Sequence, residues 1–111
     1  MTAALHGTAR SSAEHMELLR GMLEEQFAVH TARLTQLTVY ARRPRHAGHD
    51  PRTLDALTAS VRQQIAETAQ ALRRMSEGTY GLCADCHRPL PLGRLRAIPH
   101  ATHCTRCERR R

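Results

Sequence analysis

GLCADCHRPLPLGRLRAIPHATHCTRC, residues 81–107, contains all four cysteines of this 111-residue chain. They form two C-x-x-C motifs, and 17 residues separate Cys86 from Cys104. Two thiolates of one C-x-x-C turn can bind the same ion, and two such turns complete the tetrahedral shell that zinc prefers. The spacing therefore predicts one structural zinc ion, with no coordination position left for a substrate, bound by Cys83, Cys86, Cys104 and Cys107.

Two other uses of these cysteines compete with zinc binding: a disulfide pair and a redox-active dithiol. A thioredoxin-type site would need only one C-x-x-C motif in a βαβ context. Disulfides belong to oxidising compartments, whereas the N-terminus shows no signal-peptide hydrophobic region and no segment approaches the roughly 18 apolar residues of a membrane span. We therefore expect a cytoplasmic protein. The nearby His87, His100 and His103 could replace a cysteine, but four thiolates already fill the shell.

Upstream of the cysteines, apolar residues recur at steps of three and four in two segments, which is the period of an amphipathic helix. The first pattern follows Leu19, Leu23, Phe27, His30, Leu34, Leu37 and Ala41. The second follows Leu54, Leu57, Val61, Ile65, Thr68, Leu72 and Met75. Each pattern predicts one buried helix face, in which His30 is a half-buried residue of the seam and not a ligand.

The predicted helices cover residues 11–41 and 51–77, separated by a loop at 42–50 that contains a proline and a glycine. Asp50 followed by proline is typical of a helix start, and Gly78 can end the second helix. A helix of about 30 residues is roughly 45 Å long and is not stable alone with an exposed apolar seam. The two helices must therefore cover each other.

The predicted fold is mainly α: an antiparallel coiled-coil helical hairpin with a C-terminal four-cysteine zinc finger. Residues 1–10 lack periodicity and are expected to form a flexible N-terminal tail. The hairpin covers 11–77, with its tip at 42–50 and the metal-binding turns at its base. Residues 78–111 form the zinc-finger domain with a basic tail. One Phe, two Tyr and no Trp leave few residues for any larger core.

Positive charge is concentrated at the two expected ends of the molecule. The net charge is +7, and all 17 basic residues are arginine. Residues 1–41 and 53–77 are nearly neutral, whereas residues 42–52 carry +3 and residues 78–111 carry +5. Either these charges only keep the surface solvated, or the ends contact polyanions or an acidic protein groove.

Further residues lie at characteristic offsets from the cysteines: Gly78, Tyr80, Gly81, Leu90, Arg94 and Pro99. With them, the chain resembles the DksA/TraR zinc-finger family of bacterial RNA polymerase-binding transcription regulators. The resemblance is specific over residues 78–107 and rests on architecture alone over 11–77.

The resemblance implies a regulator that binds RNA polymerase at the secondary channel and modulates transcription initiation through the tip of its coiled coil. It implies no catalysis, no sequence-specific DNA binding and no membrane association. The candidate polymerase contacts are Arg42, Arg43, Arg45, Asp50 and Arg94. Arg94 lies inside the zinc-finger signature, so a structural role is slightly favoured for it.

The tip departs from the family pattern of two acidic residues three apart, followed two residues later by alanine. Asp50 matches the first position, but Thr53 stands at the second and Asp55 at the alanine position. The basic loop inverts the charge of the tip, so we expect its chemistry not to carry over unchanged. Some members respond to the alarmone ppGpp through basic residues on the second helix and just before the signature proline. At the latter position this chain has Ile98, which gives little support to such a response here.

Three other functions were compared with polymerase binding. A zinc ribbon could bind nucleic acid directly through its arginine-rich finger and the tail at 109–111, although few aromatic residues are present for base stacking. A thiol switch could release zinc on oxidation and loosen the base of the hairpin. An enzyme is not expected, because no carboxylate pair, activated nucleophile or phosphate-binding loop occurs at credible spacing.

Overall fold

Two long helices and a small cysteine-rich unit make up the fold. The computed structural model describes residues 9–43 and 50–111. Helices α1 (Ala9–Ala41) and α2 (Pro51–Glu77) pack against each other as a hairpin, and two short helices follow, α3 (Leu92–Ala97) and α4 (Thr105–Arg109). Most of the predicted N-terminal tail, 1–8, and most of the predicted tip loop, 44–49, lie outside the described residues.

The predicted fold class is confirmed: a mainly α chain in which a helical hairpin precedes a four-cysteine unit. Within the described residues, β structure is limited to one isolated antiparallel bridge between Leu82 and Pro89. α1 begins at Ala9, two residues before the start that we predicted. No helix in this part of the chain combines the length and apolar character that crossing a membrane requires.

Both ends of α2 follow from local chemistry. The Asp50 carboxylate accepts a hydrogen bond from the Thr53 backbone N–H at 2.8 Å, which satisfies one of the free donors of the first turn. Gly78 ends the helix in the left-handed region, at φ 78°. There the N–H groups of Thr79 and Tyr80 donate to the Arg74 carbonyl oxygen at 3.0 and 3.2 Å. The chain thereby turns directly from the hairpin into the zinc finger.

A heptad pattern on α2 faces α1. Four buried residues of α2 are spaced seven residues apart, which is the repeat of a coiled-coil seam: Leu54, Val61, Thr68 and Met75. Thr68 is the polar member of this set, and its hydroxyl donates to the Gln64 carbonyl oxygen at 2.7 Å. Because this bond stays within the helix, a polar group can be buried without a partner on α1.

The pattern on α1 is buried unevenly. Leu19 and Leu23 are completely buried. Phe27, predicted to lie on the same buried face, remains 37% exposed, so its assignment to the core was wrong. Leu34 and Leu37 are only half-buried. Two helices alone leave the flanks of their seam in water, whereas Leu19 and Leu23 are also covered by the cysteine-rich unit.

The core lies where the hairpin meets the zinc finger. Leu19 and Leu23 of α1 and Met75 of α2 form one buried cluster with Tyr80 and with residues around the metal-binding turns: Cys83, Leu90, Leu92, Leu95 and Cys107. Burying a leucine fully is worth about 1.5–3 kcal/mol. The cluster therefore fixes the zinc finger to the base of the hairpin as one packed body.

Candidate metal centre

The four cysteine sulfur atoms converge on one point. They all lie within 4.8 Å of one another, and those of Cys86 and Cys104 are 3.8 Å apart. Ligands about 2.3 Å from zinc at the corners of a tetrahedron are separated by about 3.8 Å. The donor set and its spacing therefore fit one tetrahedral zinc ion. Within residues 9–43 and 50–111, this is the one cluster of three or more potential metal ligands.

The first C-x-x-C turn is closed by backbone hydrogen bonds. The His87 N–H donates to the Cys83 carbonyl oxygen, and the Cys83 N–H donates to the Arg88 carbonyl oxygen, each at 2.9 Å. His87 consequently adopts a left-handed conformation with φ 61°, which is unusual for a residue with a side chain. Such a backbone costs about 1–2 kcal/mol. The two backbone hydrogen bonds help to offset this free-energy cost, and coordination of one zinc ion by both sulfur atoms of the turn would offset it further.

The second C-x-x-C turn lies at the start of α4. Cys104 is the N-cap residue, and its sulfur accepts a hydrogen bond from the Cys107 N–H at 3.4 Å. The Cys104 N–H in turn donates to the Cys83 sulfur at 3.4 Å. The two turns are thus linked by backbone N–H groups directed at sulfur as well as by the shared ion.

The surroundings of the sulfur atoms favour thiolates unequally. Burial raises the pKa of Cys83, but hydrogen bonds from the backbone of Cys86, Cys104 and Asp85 outweigh it and lower this pKa to about 6. A backbone hydrogen bond from Cys107 lowers the pKa of Cys104. The pKa of Cys107 is raised to about 12, chiefly because the Cys107 thiol is hydrogen-bonded to the side chain of Cys104. Four thiolates therefore need a cation, and bound zinc replaces the remaining thiol protons.

Two hydrogen bonds, one buried and one partly buried, hold the segment between the cysteine pairs. The Tyr80 hydroxyl donates to the Pro99 carbonyl oxygen at 2.8 Å, and burial raises the pKa of Tyr80 to about 12. The Arg94 Nε donates to the His103 carbonyl oxygen at 3.0 Å, next to the ligand Cys104. Tyr80 therefore connects the end of α2 to the loop after α3, and Arg94 orients the second turn.

Two of the histidines near the cysteines, His100 and His103, have other partners. His103 Nε2 lies 3.4 Å from an Asp85 carboxylate oxygen, and its Nδ1 is 2.7 Å from the Thr102 hydroxyl. His100 Nε2 lies 2.9 Å from a Glu67 carboxylate oxygen. The latter pair links the zinc finger to α2. This contact was not predicted, because helical periodicity does not indicate which exposed face of α2 meets the finger.

The predicted polymerase contacts lie at opposite ends of a molecule that extends 56 Å. Arg42 and Arg43 follow α1 and are exposed, Asp50 caps α2 beside them, and Arg94 lies in the zinc finger. Arg45 falls outside the described residues. The sequence patterns also missed the bond between Tyr80 and Pro99, since their side chain and backbone meet only through the turn after Gly78.

Comparison with known proteins supports the assignment of the cysteine-rich unit. Residues 78–111 match the family described as prokaryotic dksA/traR C4-type zinc finger. The chain is 41% identical over 49 residues to the RNA polymerase-binding transcription factor DksA of Caulobacter vibrioides, a match that covers 44% of this chain and 34% of that protein. The chain spans about a third of the length of the curated relatives it matches first.

Solved structures share the whole architecture. Transcription factor DksA2 from Pseudomonas aeruginosa superposes with a TM-score of 0.71 at 22% identity, covering 87% of this chain and 82% of that one. The DnaK suppressor protein from Agrobacterium tumefaciens gives a TM-score of 0.63 at 23% identity, covering 86% and 92% of the two chains. At these identities the likeness establishes the fold.

The zinc-finger match and the converging sulfur atoms together confirm the predicted structural zinc ion. The match covers the segment in which the sequence resemblance was specific, and the hairpin has the fold of the neighbouring structures. Residues 78–111 are therefore a zinc finger of the dksA/traR C4 type, and the chain around them has the fold of the DksA2 structure.

Proposed function

We propose that this protein is a non-enzymatic regulator that binds RNA polymerase at its secondary channel and modulates transcription initiation with the tip of its hairpin. The observation that carries the proposal is the combination of a family-type zinc finger with a hairpin that projects from it. The Caulobacter relative is named an RNA polymerase-binding transcription factor. Such a regulator would act in the cytoplasm, without sequence-specific DNA binding.

In this proposal the zinc finger is the rigid base of a lever. A zinc ion would hold the two C-x-x-C turns together through its four ligands, Cys83, Cys86, Cys104 and Cys107. The buried cluster would then keep the zinc finger in a fixed position relative to α1 and α2. Arg94 would act structurally, because its guanidinium group already bonds to the His103 carbonyl oxygen. The tip would then reach the polymerase interior in a defined orientation.

The tip contacts would be made by Arg42, Arg43 and Arg45, with Asp50 holding the start of α2. Asp50 already accepts the capping bond from Thr53, so its carboxylate has a structural task at the tip. The arginines would place positive charge where the family pattern has acidic residues. We therefore expect an effect on transcription that differs in size or direction from that of an acidic tip.

A response to ppGpp is not part of the proposal. The cleft between α2 and the zinc finger has a volume of about 640 Å³ and is lined by Ile98 and by the carboxylates of Glu67 and Glu108. Three arginines also line the cleft: Arg94 is bonded to the His103 carbonyl oxygen, Arg111 lies 3.9 Å from a Glu108 oxygen, and Arg74 belongs to α2. The two carboxylates, and an apolar side chain at Ile98, reduce the attraction of this cleft for a highly charged anion.

The proposal is tested by capture of core RNA polymerase on the zinc-loaded protein, with a competing secondary-channel factor added, at two salt concentrations. We expect capture that the competitor abolishes. Capture that the competitor leaves unchanged would place the binding site elsewhere. Absence of capture, together with salt-sensitive retention on nucleic acid, would instead favour a finger that binds nucleic acid directly.

The role of the tip is tested separately with the triple variant R42E/R43E/R45E. It should keep its zinc and its helix content, because the described Arg42 and Arg43 are exposed. Its effect on a reconstituted promoter should change. An unaltered promoter response at equal occupancy would show that the tip is inert.

A further inference from the structure

We infer that the hairpin tip is a binding surface for single-stranded nucleic acid, formed by the guanidinium groups of Arg42, Arg43 and Arg52. These three residues are exposed and lie where α1 ends and α2 begins. The inference goes beyond the proposed function, because it concerns binding by the protein itself and holds whether or not polymerase is present. It also assigns the nucleic-acid contact to the end of the molecule opposite the zinc finger.

The three arginines are brought to one end by the pairing of the helices. Tyr40 and Leu37 of α1 line a cavity of about 300 Å³ together with Leu54 and Leu57 of α2. Arg43 lies just beyond Tyr40, and Arg52 lies just before Leu54. The residues that follow α1 and the first turn of α2 therefore place their arginines at the same end of the hairpin.

The positions of Arg42 and Arg43 are fixed by their surroundings. Their backbone N–H groups donate to the carbonyl oxygens of Val39 and Tyr40 at 3.2 and 3.1 Å, so both lie in a hydrogen-bonded turn that directly follows α1. The guanidinium carbon of Arg43 lies 5.8 Å from the centre of the Tyr40 ring, a cation–π contact. Tyr40 is thus a positioning residue that holds one cation at the tip.

Arg42, Arg43 and Arg52 form no ion pair within the part of the chain that the structure describes. In residues 9–43 and 50–111, no carboxylate lies within salt-bridge distance of Arg42, Arg43 or Arg52. The helical body behind the tip is nearly neutral, so the positive potential is local and not part of a uniformly basic surface. A polyanion would therefore be attracted to this end of the hairpin.

The stacking capacity of the tip favours nucleic acid over a carboxylate-bearing protein surface. Every cation is an arginine, whose planar fork binds phosphate and carboxylate oxygens alike but also stacks on flat rings, which only the nucleic acid supplies as bases along its whole length. A guanidinium group held over an aromatic ring is a platform of the kind on which the bases of single strands stack. Three guanidinium groups at one end of two paired helices can bind a few consecutive phosphates of one strand.

The test measures fluorescence anisotropy of labelled 12-nucleotide RNA and DNA single strands with the full-length, zinc-loaded protein from 50 to 200 mM salt. The variant R42Q/R43Q/R52Q should weaken binding at least tenfold at the lower salt concentration. Three lost phosphate contacts should also reduce the slope of log affinity against log salt by about 2. The RNA and DNA arms show which strand is preferred.

The matched control, R109Q/R110Q/R111Q, removes the same charge from the opposite end and should lose at least threefold less affinity. Tyr40→Leu should weaken binding about two- to fivefold without changing the salt slope, because it removes no charge. Three outcomes would each overturn the inference. The two triple variants could lose affinity equally, polyglutamate could displace the labelled strand as effectively as unlabelled oligonucleotide, or the protein could bind duplex DNA with equal affinity. Since polymerase is absent, these outcomes are independent of the proposed function.

Discussion

The base of the hairpin and its distal half are built from the same two helices, yet they bury their side chains differently. At the base, Leu19 and Leu23 are 0% exposed. Between residues 24 and 43, α1 has no fully buried residue, and Phe27 is 37% exposed. The difference arises because the base has a third partner, the zinc finger, whereas the distal half has only one helix facing another.

The difference in burial implies that different interactions stabilise the two regions. The base combines apolar burial with a metal ion whose apparent binding free energy in small zinc domains is roughly 10–16 kcal/mol. The distal half depends on a narrow seam, in which Leu54 and Val61 of α2 are the buried residues. The base should therefore be the more stable region, and the sparsely packed distal half should open locally at lower free energy.

The largest effect should follow removal of zinc or of one ligand. Cys83→Ser and Cys104→Ser should each lose the ion, unfold the base and abolish regulatory activity, because three thiolates leave the shell incomplete and the buried cluster unsupported. Zinc content and thermal unfolding by circular dichroism measure the loss. His87→Ala is the matched control, since His87 adjoins the ligand Cys86 but is exposed. A native melting curve in either serine variant would contradict the structural role of zinc.

The next effect contrasts two leucines on one helix. Leu23→Ala should lower the free energy of unfolding by about 3 kcal/mol, within the range for buried leucines. Leu34→Ala, at a half-buried distal position, should cost only about 1 kcal/mol. Urea unfolding of the zinc-loaded variants gives both values. Equal costs would show that the distal seam is packed as tightly as the base.

A third test concerns the buried hydroxyl of Tyr80. Tyr80→Phe leaves the Pro99 carbonyl oxygen without its partner and should cost about 1–2 kcal/mol. The folded protein raises the pKa of Tyr80 from 10.0 to about 12, so the neutral phenol is favoured on folding. This contribution is present below pH 10 and is lost as the pH rises towards 12.

Urea unfolding at pH 9 and pH 11 therefore distinguishes the two proteins. The wild type should lose stability over this interval more steeply than Tyr80→Phe, which has no phenol at this position. Tyr40→Phe is the matched control at the half-buried distal position. Parallel loss in wild type and Tyr80→Phe would mean that Tyr80 ionises as freely in the folded protein as in the unfolded chain.

The smallest effect lies at the tip. Asp50→Ala removes the cap of α2 and should cost about 1 kcal/mol, whereas Asp50→Ser should retain most of the capping energy. Amide hydrogen exchange should show the loss confined to the first turns of α2. Faster exchange throughout the zinc finger would indicate that the tip and the base are coupled more strongly than the packing suggests.

Some features could be predicted because they depend on short-range chemistry. The two C-x-x-C turns indicated the metal site, since only a few residues separate ligands that must meet one ion. The steps of three and four along α2 indicated its buried face, and Asp50 indicated its start. Phe27 could not be placed in this way, because its exposure depends on how many elements cover α1 at that point.

By itself, the sequence determined the two helices, the cysteine pairs and the concentration of arginine at both ends, since these follow from periodicity, ligand spacing and charge. Only the tertiary structure decided which residues are fully buried and how the finger is joined to α2 by His100 and Glu67. It also decided that Arg94 bonds within the finger and that Arg43 lies over the Tyr40 ring. Such contacts depend on the relative placement of elements, which local patterns do not encode.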